Sequence, residues 1–278
     1  MKNNPLLQYT SNTYSQFGED GILTEIFRRI KLNTPWCVEF GAWDGIAFSN
    51  TRSLIEQGWN AVLIEPNPRK FKVLVKNNQQ FPKTHLLQKF ITLTGETSLD
   101  NLLVTTPIPK QFDLLSIDID GNDYHIWKSI EKYDPKVVVI EYNPTIPPDI
   151  EFIQPADFSV QQGTSLKALY DLAKEKKYEL IACTEANGIF VKKKYFPLFN
   201  IKDNSPEVMQ ENKYLTRIYQ LFDGTIKIEG TTKLLWSDIS FSENDIQILP
   251  KFLRRFPEGI KNILFLKMFH FWRNSFRS

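Results

Sequence analysis

Short apolar runs alternate with stretches of helical periodicity along the chain from Trp36 onward. That alternation is typical of a parallel sheet flanked by helices. The runs predict strands at 36–40, 60–64, 85–91, 113–119, 137–142, 178–184 and 188–193. The intervening stretches predict helices at 21–30, 50–57, 69–77, 98–103, 123–132 and 165–176. We therefore predict an α/β fold with a mostly parallel, doubly wound sheet.

The last two predicted strands are separated by only three residues, 185–187. So short a connection favours a hairpin, and hence an antiparallel edge on the sheet. Small polar residues stand where three helices begin, namely Thr97 or Ser98, Asn122 and Ser165. Such side chains are typical N-caps.

Two stretches depart from this rhythm. Residues 143–164 contain four prolines and are too long for an ordinary strand-to-helix connection, which indicates a functional loop on the acceptor side of a site. Beyond 196 the pattern weakens, and we expect some strand within 215–235 followed by a basic helical end. The predicted domains are a core at 1–196 and a C-terminal extension at 197–278.

The predicted strands end in unusually polar sequences. Ligands of open α/β sheets bind beyond the carboxyl ends of the strands, so these residues are the candidate site. They are Glu39, Gly41 and Asp44 after the first strand, Glu65 after the second, Asp118 and Asp120 after the fourth, and Glu141 and Asn143 after the fifth. A glycine lets the backbone approach a ligand closely, and a carboxylate after the second strand is placed to accept both ribose hydroxyls.

The glycine spacing excludes two phosphate-binding motifs. The chain contains neither GxGxxG nor GxxxxGK[ST]. Glu39 and Asp44 would repel a pyrophosphate, whereas they would attract a ligand that carries amine and sulfonium groups. S-adenosylmethionine (SAM) is such a ligand.

Several motifs together resemble the FkbM-type methyltransferases. They are SQFGED (15–20), VEFGAWDG (38–45), SNT (49–51), LIEPNP (63–68), TSLD (97–100), LLSIDIDGNDY (114–124) and VVVIEYNP (137–144). The resemblance implies the class I SAM-dependent (Rossmann-like) fold, whose seven-stranded sheet has an antiparallel last strand.

The resemblance also implies roles for residues at matching positions. Glu39, Gly41 and Asp44 would flank the methionine end of SAM, Glu65 the ribose and Asp118 the methyl group. Ser15 and Gln16 would close over the cofactor, and Asn50 of the SNT motif completes the predicted cofactor-binding set.

A sugar hydroxyl is a poor nucleophile until it loses its proton, so O-methylation needs a base or a metal-bound oxygen. Asp118 and Asp120 are the candidate bases. His125, in the first turn of a predicted helix, is a further catalytic candidate, with a supporting or surface role as the alternative. Oxygen ligands from Asp118, or from Asp120 in its place, together with Glu141 and Asn143 would suit Mg²⁺, although FkbM-type enzymes are not uniformly metal-dependent.

The charge distribution singles out the C-terminus. The chain has a net charge of +2, but residues 250–278 carry seven basic residues and one acidic residue, which leaves the remainder at −4. A mildly acidic body argues against a general nucleic-acid binder. The basic, aromatic-rich tail suits packing on the body, a homodimer contact, a peripheral membrane contact or a lid.

Cellular location is predicted from what the sequence lacks. Two cysteines without metal-ligand spacing, Cys37 and Cys183, suit a reducing compartment, and no apolar run has the length of a signal peptide or of a membrane span. We expect a cytoplasmic protein, with the inner membrane surface as an alternative.

The predicted function is SAM-dependent O-methylation of a sugar or surface-glycan hydroxyl, the acceptor class being implied by the resemblance. An NAD(P)-dependent nucleotide-sugar oxidoreductase or epimerase is the first alternative, disfavoured by the missing GxGxxG. A non-catalytic docking protein is the second, disfavoured by clustered carboxylates that are unfavourable without a function.

Overall fold

The computed structural model describes residues 4–233, 239–248, 267–268 and 271–272. The chain divides into two compact units, Met1–Asn212 and Lys213–Ser278. The domain boundary predicted from the sequence, between residues 196 and 197, lies within the first unit.

The first unit contains seven strands and seven α-helices among its described residues. The strands are β1 (Trp36–Phe40), β2 (Asn60–Ile64), β3 (Thr84–Leu87), β4 (Leu114–Ile117), β5 (Val137–Glu141), β6 (Tyr178–Cys183) and β7 (Asn187–Lys192). The helices are α1 (Glu19–Arg29), α2 (Arg52–Glu56), α3 (Pro68–Asn78), α4 (Leu99–Val104), α5 (Asp123–Ser129), α6 (Leu166–Glu175) and α7 (Pro206–Met209).

All seven strands form one sheet in the order β3-β2-β1-β4-β5-β7-β6. Strands β1 to β5 pair in parallel, whereas β7 is antiparallel to both β5 and β6. The predicted doubly wound sheet with an antiparallel hairpin at one edge is therefore confirmed. The strand order reverses direction between β1 and β4, and such a reversal opens a crevice at the carboxyl ends of these two strands.

Both faces of the sheet are covered, which explains why its strands are apolar throughout rather than alternating. Val38 and Leu115 point into one core, which includes residues of α4, α5 and α6. Their neighbours Cys37 and Leu114 point into the other core, which includes residues of α1, α2 and α3. The two cores clamp the sheet and hold its carboxyl edge in place.

Strands β3 and β4 end at least two residues earlier than the sequence predicts, at the points where their pairing with neighbouring strands stops. The last partner of Leu87 in β3 is Ile64, the final residue of β2. The last partner of Ile117 in β4 is Phe40, the final residue of β1. The pairing of β3 with β2 and of β4 with β1 stops at these points, and residues 88–91 and 118–119 leave the sheet, where they can line a site.

The predicted N-caps differ in chemistry. Ser165 accepts a hydrogen bond from the backbone N–H of Ala168 and so caps α6. Ser98 and Asn122 occupy N-cap positions, but their side chains make no capping bond.

The second unit contains an antiparallel hairpin of β8 (Arg217–Gln220) and β9 (Ile226–Glu229), and the short helix α8 (Glu243–Ile246). These strands lie within the stretch where strand was expected. The predicted tail, 250–278, lies outside the described residues except for 267–268 and 271–272. Within the part of the chain that the structure describes, no helix combines the length and the apolar character needed to cross a membrane.

Candidate active site

The turn after β1 passes unusually close to the end of β4. Gly41 has a φ of +75°, and a Cβ atom placed on it would lie 1.8 Å from the backbone carbonyl oxygen of Asp118. Any side chain at this position would therefore force the two strand ends apart. The glycine of the VEFGAWDG motif is required both for its backbone angle and for this close approach.

Glu39 is almost fully buried at the end of β1 and is held by the SNT motif. It accepts hydrogen bonds from Ser49 Oγ (2.6 Å), the backbone N–H of Asn50 (2.8 Å) and Thr51 Oγ1 (2.7 Å). Burial raises the pKa of Glu39, and these three donors oppose that rise. The SNT motif thus fixes a carboxylate in place at the sheet edge.

Glu65, at the end of β2, is joined to the turn after β1. Its two carboxylate oxygens accept hydrogen bonds from the backbone N–H groups of Trp43 (3.0 Å) and Asn67 (2.7 Å). Each oxygen keeps lone-pair capacity for a further donor. The carboxylate is therefore oriented before any ligand binds.

Two cavities open at this edge of the sheet. The first, which we call the Glu65 cavity, has a volume of about 200 Å³, and Glu65, Phe90, Ile91, Ile119 and Phe158 are among its lining residues. The second, which we call the carboxylate cavity, has a volume of about 280 Å³, and its lining includes Gln16, Glu39, Trp43, Phe48, Asp118 and Glu141. Phe40, Gly41, Lys70 and Asp120 line both cavities, so the two adjoin at the Gly41 turn.

Three carboxylates gather in the carboxylate cavity. Oxygen atoms of Asp118, Asp120 and Glu141 all lie within 4.8 Å of one another. Burial, followed by repulsion from Asp123 and the other carboxylates, raises the pKa of Asp118 to about 8. Burial and repulsion from Asp118 likewise raise the pKa of Glu141 well above its usual range. The cluster thus attracts protons or cations.

Two exposed aromatic side chains line the same cavity. Trp43 and Phe48 are 45% and 52% exposed, and their ring centroids lie 6.3 Å apart in an edge-to-face arrangement. Both residues have positive φ angles, 47° and 59°, which are uncommon for large side chains. The ammonium group of Lys70 lies 4.4 Å from the centroid of the Trp43 ring. The local backbone therefore presents an aromatic surface beside the carboxylates.

The structure brings most of the predicted site residues together. Gln16, Glu39, Gly41, Asp118, Asp120 and Glu141 line the carboxylate cavity, and Glu65 lines the adjoining one. They converge because parallel strands place all their carboxyl ends at one edge. The roles assigned to these residues from the sequence stay predictions.

The structure does not place five predicted residues among the lining of either cavity, and each is engaged elsewhere. Ser15 Oγ bonds with Asp20, and Asp44 accepts from the backbone N–H groups of Ile46 and Ala47. Asn50 Nδ2 donates to Ser116 Oγ. Ser15, Asp44 and Asn50 hold the loops around the site.

His125 and Asn143, predicted as catalytic and metal-binding residues, contact the 143–164 loop instead. The ring Nε2 of His125 lies 2.8 Å from the carbonyl oxygen of Gln154. Asn143 Oδ1 accepts from Thr145, and its Nδ2 donates to the carbonyl of Gln162. Asp120, predicted as a base and as the alternative to Asp118 among the metal ligands, lies beside Asp118 and Glu141.

Sequence reasoning assigned no role to two buried acids of the SQFGED motif. Asp20 Oδ2 accepts from the backbone N–H groups of Thr13, Tyr14 and Ser15, and so shapes the turn that leads to Gln16. Glu19 is fully buried and accepts from Thr184 Oγ1 and Asn187 Nδ2. Their burial depends on the tertiary structure. The one sequence signal for these two acids was their position next to Ser15 and Gln16.

The site fits the chemistry of SAM. Carboxylates suit its positively charged end, Glu65 suits ribose hydroxyls, and the close approach at Gly41 provides a turn that a larger side chain would fill. Apolar and aromatic side chains around the Glu65 cavity suit the flat adenine base of SAM. The strand order is that of the class I methyltransferase fold.

The comparison with protein families agrees. Residues 80–180 match the family model described as the methyltransferase FkbM domain. Over that segment the match confirms the resemblance to the FkbM-type methyltransferases found in the motifs. No curated protein matches the sequence.

Solved structures give distant similarities. The N-terminal domain of EvdMO1 with SAH bound is 11% identical over 61% of this chain and 77% of that chain, with a TM-score of 0.39. A TehB-like SAM-dependent methyltransferase from Corynebacterium glutamicum is 14% identical over 67% of this chain and 92% of that chain, with a TM-score of 0.37. TrmK of M. capricolum in complex with S-adenosylhomocysteine (SAH) is 13% identical over 61% of this chain and 65% of that chain, with a TM-score of 0.37. The fold assignment rests on the strand order of this chain.

Proposed function

We propose that the protein transfers a methyl group to a hydroxyl oxygen of a sugar or glycan acceptor. The observation that carries this proposal is the carboxylate cavity, where Asp118, Asp120 and Glu141 lie beside the exposed rings of Trp43 and Phe48. The arrangement combines groups that accept protons with a surface that binds an apolar ring face.

The carboxylate cluster favours a hydroxyl group, rather than an amine or a carbon atom, as the site of methylation. A neutral hydroxyl becomes a good nucleophile only as its proton leaves, and a positioned carboxylate contributes about 10²- to 10⁴-fold by taking that proton. When bound, SAM supplies an electrophilic methyl group on a positively charged sulfur. In the proposal Asp118 or Asp120 accepts the hydroxyl proton, and Glu141 shares the resulting charge.

The aromatic pair supports a sugar as the acceptor. One face of a pyranose ring consists of C–H groups, and an exposed aromatic ring removes that face from water. The hydroxyl groups at the edge of the same ring donate to carboxylate oxygens. Trp43 and Phe48 would hold the ring, and the cluster would receive the hydroxyl to be methylated.

A metal-dependent form of the proposal uses the same oxygens. Mg²⁺ prefers carboxylate ligands and keeps several waters. The ion would be held by Asp118, Asp120 and Glu141, and its positive charge would offset the repulsion among these carboxylates. This form and the base form differ in whether chelation abolishes activity.

The test is transfer of a labelled methyl group from SAM to a panel of neutral monosaccharides, nucleotide sugars and lipid-linked oligosaccharides. We expect a methyl ether product, and a loss of about 10²-fold or more in rate for the responsible variant among Asp118→Asn and Asp120→Asn. Asp149→Asn, which changes an exposed acid of the 143–164 loop, is the matched control. Full activity in both cluster variants, or labelled methyl on nitrogen or carbon, would refute the proposal; full activity in excess EDTA would remove its metal-dependent form.

We also propose a cytoplasmic location, where a nucleotide-sugar or lipid-linked acceptor is available. Two buried free thiols, Cys37 and Cys183, support it. Fractionation of cells that express a tagged full-length protein tests the proposal, and recovery in the periplasmic or extracellular fraction would contradict it.

A further inference from the structure

The proline-rich loop 143–164 rests on the turn between β4 and α5. Asn122 Nδ2 donates to the carbonyl of Asp157 (3.0 Å), and the ring Nε2 of His125 lies 2.8 Å from the carbonyl of Gln154. Both anchoring residues belong to the IDIDGNDYH sequence. The loop is therefore attached to the part of the chain that also supplies Asp118 and Asp120.

Gln154 closes the loop on itself. Its side chain is 1% exposed; Nε2 donates to the carbonyl of Val160 (3.0 Å), and Oε1 accepts from the backbone N–H groups of Gln162 (3.1 Å) and Gly163 (2.8 Å). A buried amide that makes three bonds across the base of a loop determines the path of the residues between them. Those residues include Phe158.

Gly121 permits the contact between the loop and the turn. A Cβ atom placed on it would lie 2.7 Å from the backbone carbonyl oxygen of Val160 and 3.2 Å from Gln154 Nε2. Its φ is not positive, so glycine is needed here because a side chain would not fit, and not because of the backbone angle. An alanine here must displace the backbone of the loop.

The loop delivers Phe158 to the Glu65 cavity. Phe158, Val160 and Gln161 all line this cavity. The ring of Phe158 packs edge-to-face on that of Phe90, with centroids 5.0 Å apart. The pair remains accessible, with Phe158 36% and Phe90 53% exposed.

We infer that the 143–164 loop is part of the cofactor site, with Phe158 and Phe90 contacting the adenine base and with Gln154 and Gly121 positioning Phe158. This inference rests on the placement of adenosine in the Glu65 cavity. Stacking on an aromatic side chain stabilises a bound nucleobase by about the same free energy whatever hydrogen-bonding groups the edge of the base carries. The loop therefore contributes to affinity for SAM and SAH as well as to the acceptor side expected from the sequence.

The test is calorimetric titration of the full chain with SAH and with methylthioadenosine, which lacks the amino-acid end. Phe158→Ala should weaken binding of both by about 5- to 100-fold, the usual effect of losing one base–aromatic contact. Phe158→Trp retains a ring and should restore most of the affinity. Ile150→Ala, which truncates an exposed apolar residue of the same loop that does not line the cavity, should bind as the wild type does.

The positioning residues give a second readout. Gln154→Ala and Gly121→Ala should weaken SAH binding in the same direction, and adding Phe158→Ala to either should cost less than it does alone, because the ring has already moved. If the losses of SAH-binding free energy in the single variants add up in the double variants, Gln154 and Gly121 do not position Phe158.

The outcomes separate two failures. A wild-type protein that does not bind SAH would overturn the proposed function and this inference with it. Wild-type binding that Phe158→Ala leaves unchanged, with only the acceptor KM raised, would overturn the inference alone and leave the loop as an acceptor-side element.

Discussion

The carbonyl oxygen of Asp118 lies 1.8 Å from the place that a Cβ atom on Gly41 would occupy. This contact joins the ends of β1 and β4 where the two cavities adjoin. Gly41→Ala should therefore lower stability by about 1 to 3 kcal/mol beyond the penalty of roughly 1 to 2 kcal/mol for a left-handed alanine. It should also weaken SAH binding, because the strand ends must separate.

A second glycine isolates the steric part of this effect. Gly95 has a φ of +83°, and a Cβ atom on it would meet nothing within 4 Å. Gly95→Ala should show the backbone penalty alone. Equal unfolding free energies for the two variants in urea would show that the contact with Asp118 contributes nothing.

Glu65→Ala should weaken SAH binding at least tenfold. The carboxylate has capacity for two ribose hydroxyls, and a hydrogen bond to a charged group contributes about 1.5 to 3 kcal/mol. Because Glu65 also accepts from Trp43 and Asn67, Glu65→Gln, which retains one acceptor, is the milder companion variant. Calorimetry on folded protein decides: unchanged affinity in Glu65→Ala would remove the ribose assignment.

Asp118→Asn should stabilise the protein, and more at pH 8 than at pH 5. The pKa of Asp118 is raised by burial from 3.8 to about 8, so the folded protein keeps a proton that the unfolded chain releases between about pH 4 and 8. Wild-type stability therefore falls as pH rises through that window, and asparagine avoids the fall. We expect a gain of at least ~1 kcal/mol at pH 8, or about 2 to 4 °C in Tm.

Melting curves in EDTA test this effect without interference from a bound cation. Asp149→Asn, at an exposed position, should show no such pH-dependent gain. An Asp118→Asn protein with the wild-type Tm at both pH values would contradict the raised pKa of this half-buried carboxylate.

Asp20→Ala should lower stability by about 2 to 4 kcal/mol and weaken SAH binding. Asp20 Oδ2 accepts from three consecutive backbone N–H groups before Gln16, and removing the carboxylate leaves them without this acceptor, the N–H of Ser15 in a buried position. Tyr14→Phe removes only an exposed bond to Glu56 and should change stability by less than about 0.5 kcal/mol. Urea unfolding and calorimetry measure both effects, and an Asp20→Ala protein that behaves like Tyr14→Phe would show that the turn does not depend on this carboxylate.

Removal of residues after Pro257 tests the basic tail. The deletion takes away four basic residues and the aromatic run, and each basic residue near an anionic surface contributes about 1 kcal/mol. We expect at least tenfold weaker flotation on phosphatidylserine vesicles, or a smaller mass in light scattering if the tail joins two copies. Phosphatidylcholine vesicles are the control for charge, and unchanged flotation and mass would exclude both interpretations.

The sequence by itself determined the fold class and the edge of the sheet at which the candidate site residues gather. Short apolar runs such as 36–40 and 137–141 are typical of a sheet covered on both faces, and parallel strands bring their carboxyl ends together at one edge. Glu39, Gly41, Glu65, Asp118 and Glu141 follow from that geometry.

Tertiary structure alone decided which polar residues face the cavities and which hold the loops. His125 and Asn143 follow a strand or begin a helix at the right edge, but their side chains bind the 143–164 loop. Phe90 becomes available because β3 loses its partner at Leu87, and Phe158 arrives from a loop with no periodic pattern. Side-chain direction in turns and the path of a long loop depend on contacts between residues distant in sequence, and local patterns carry no record of them.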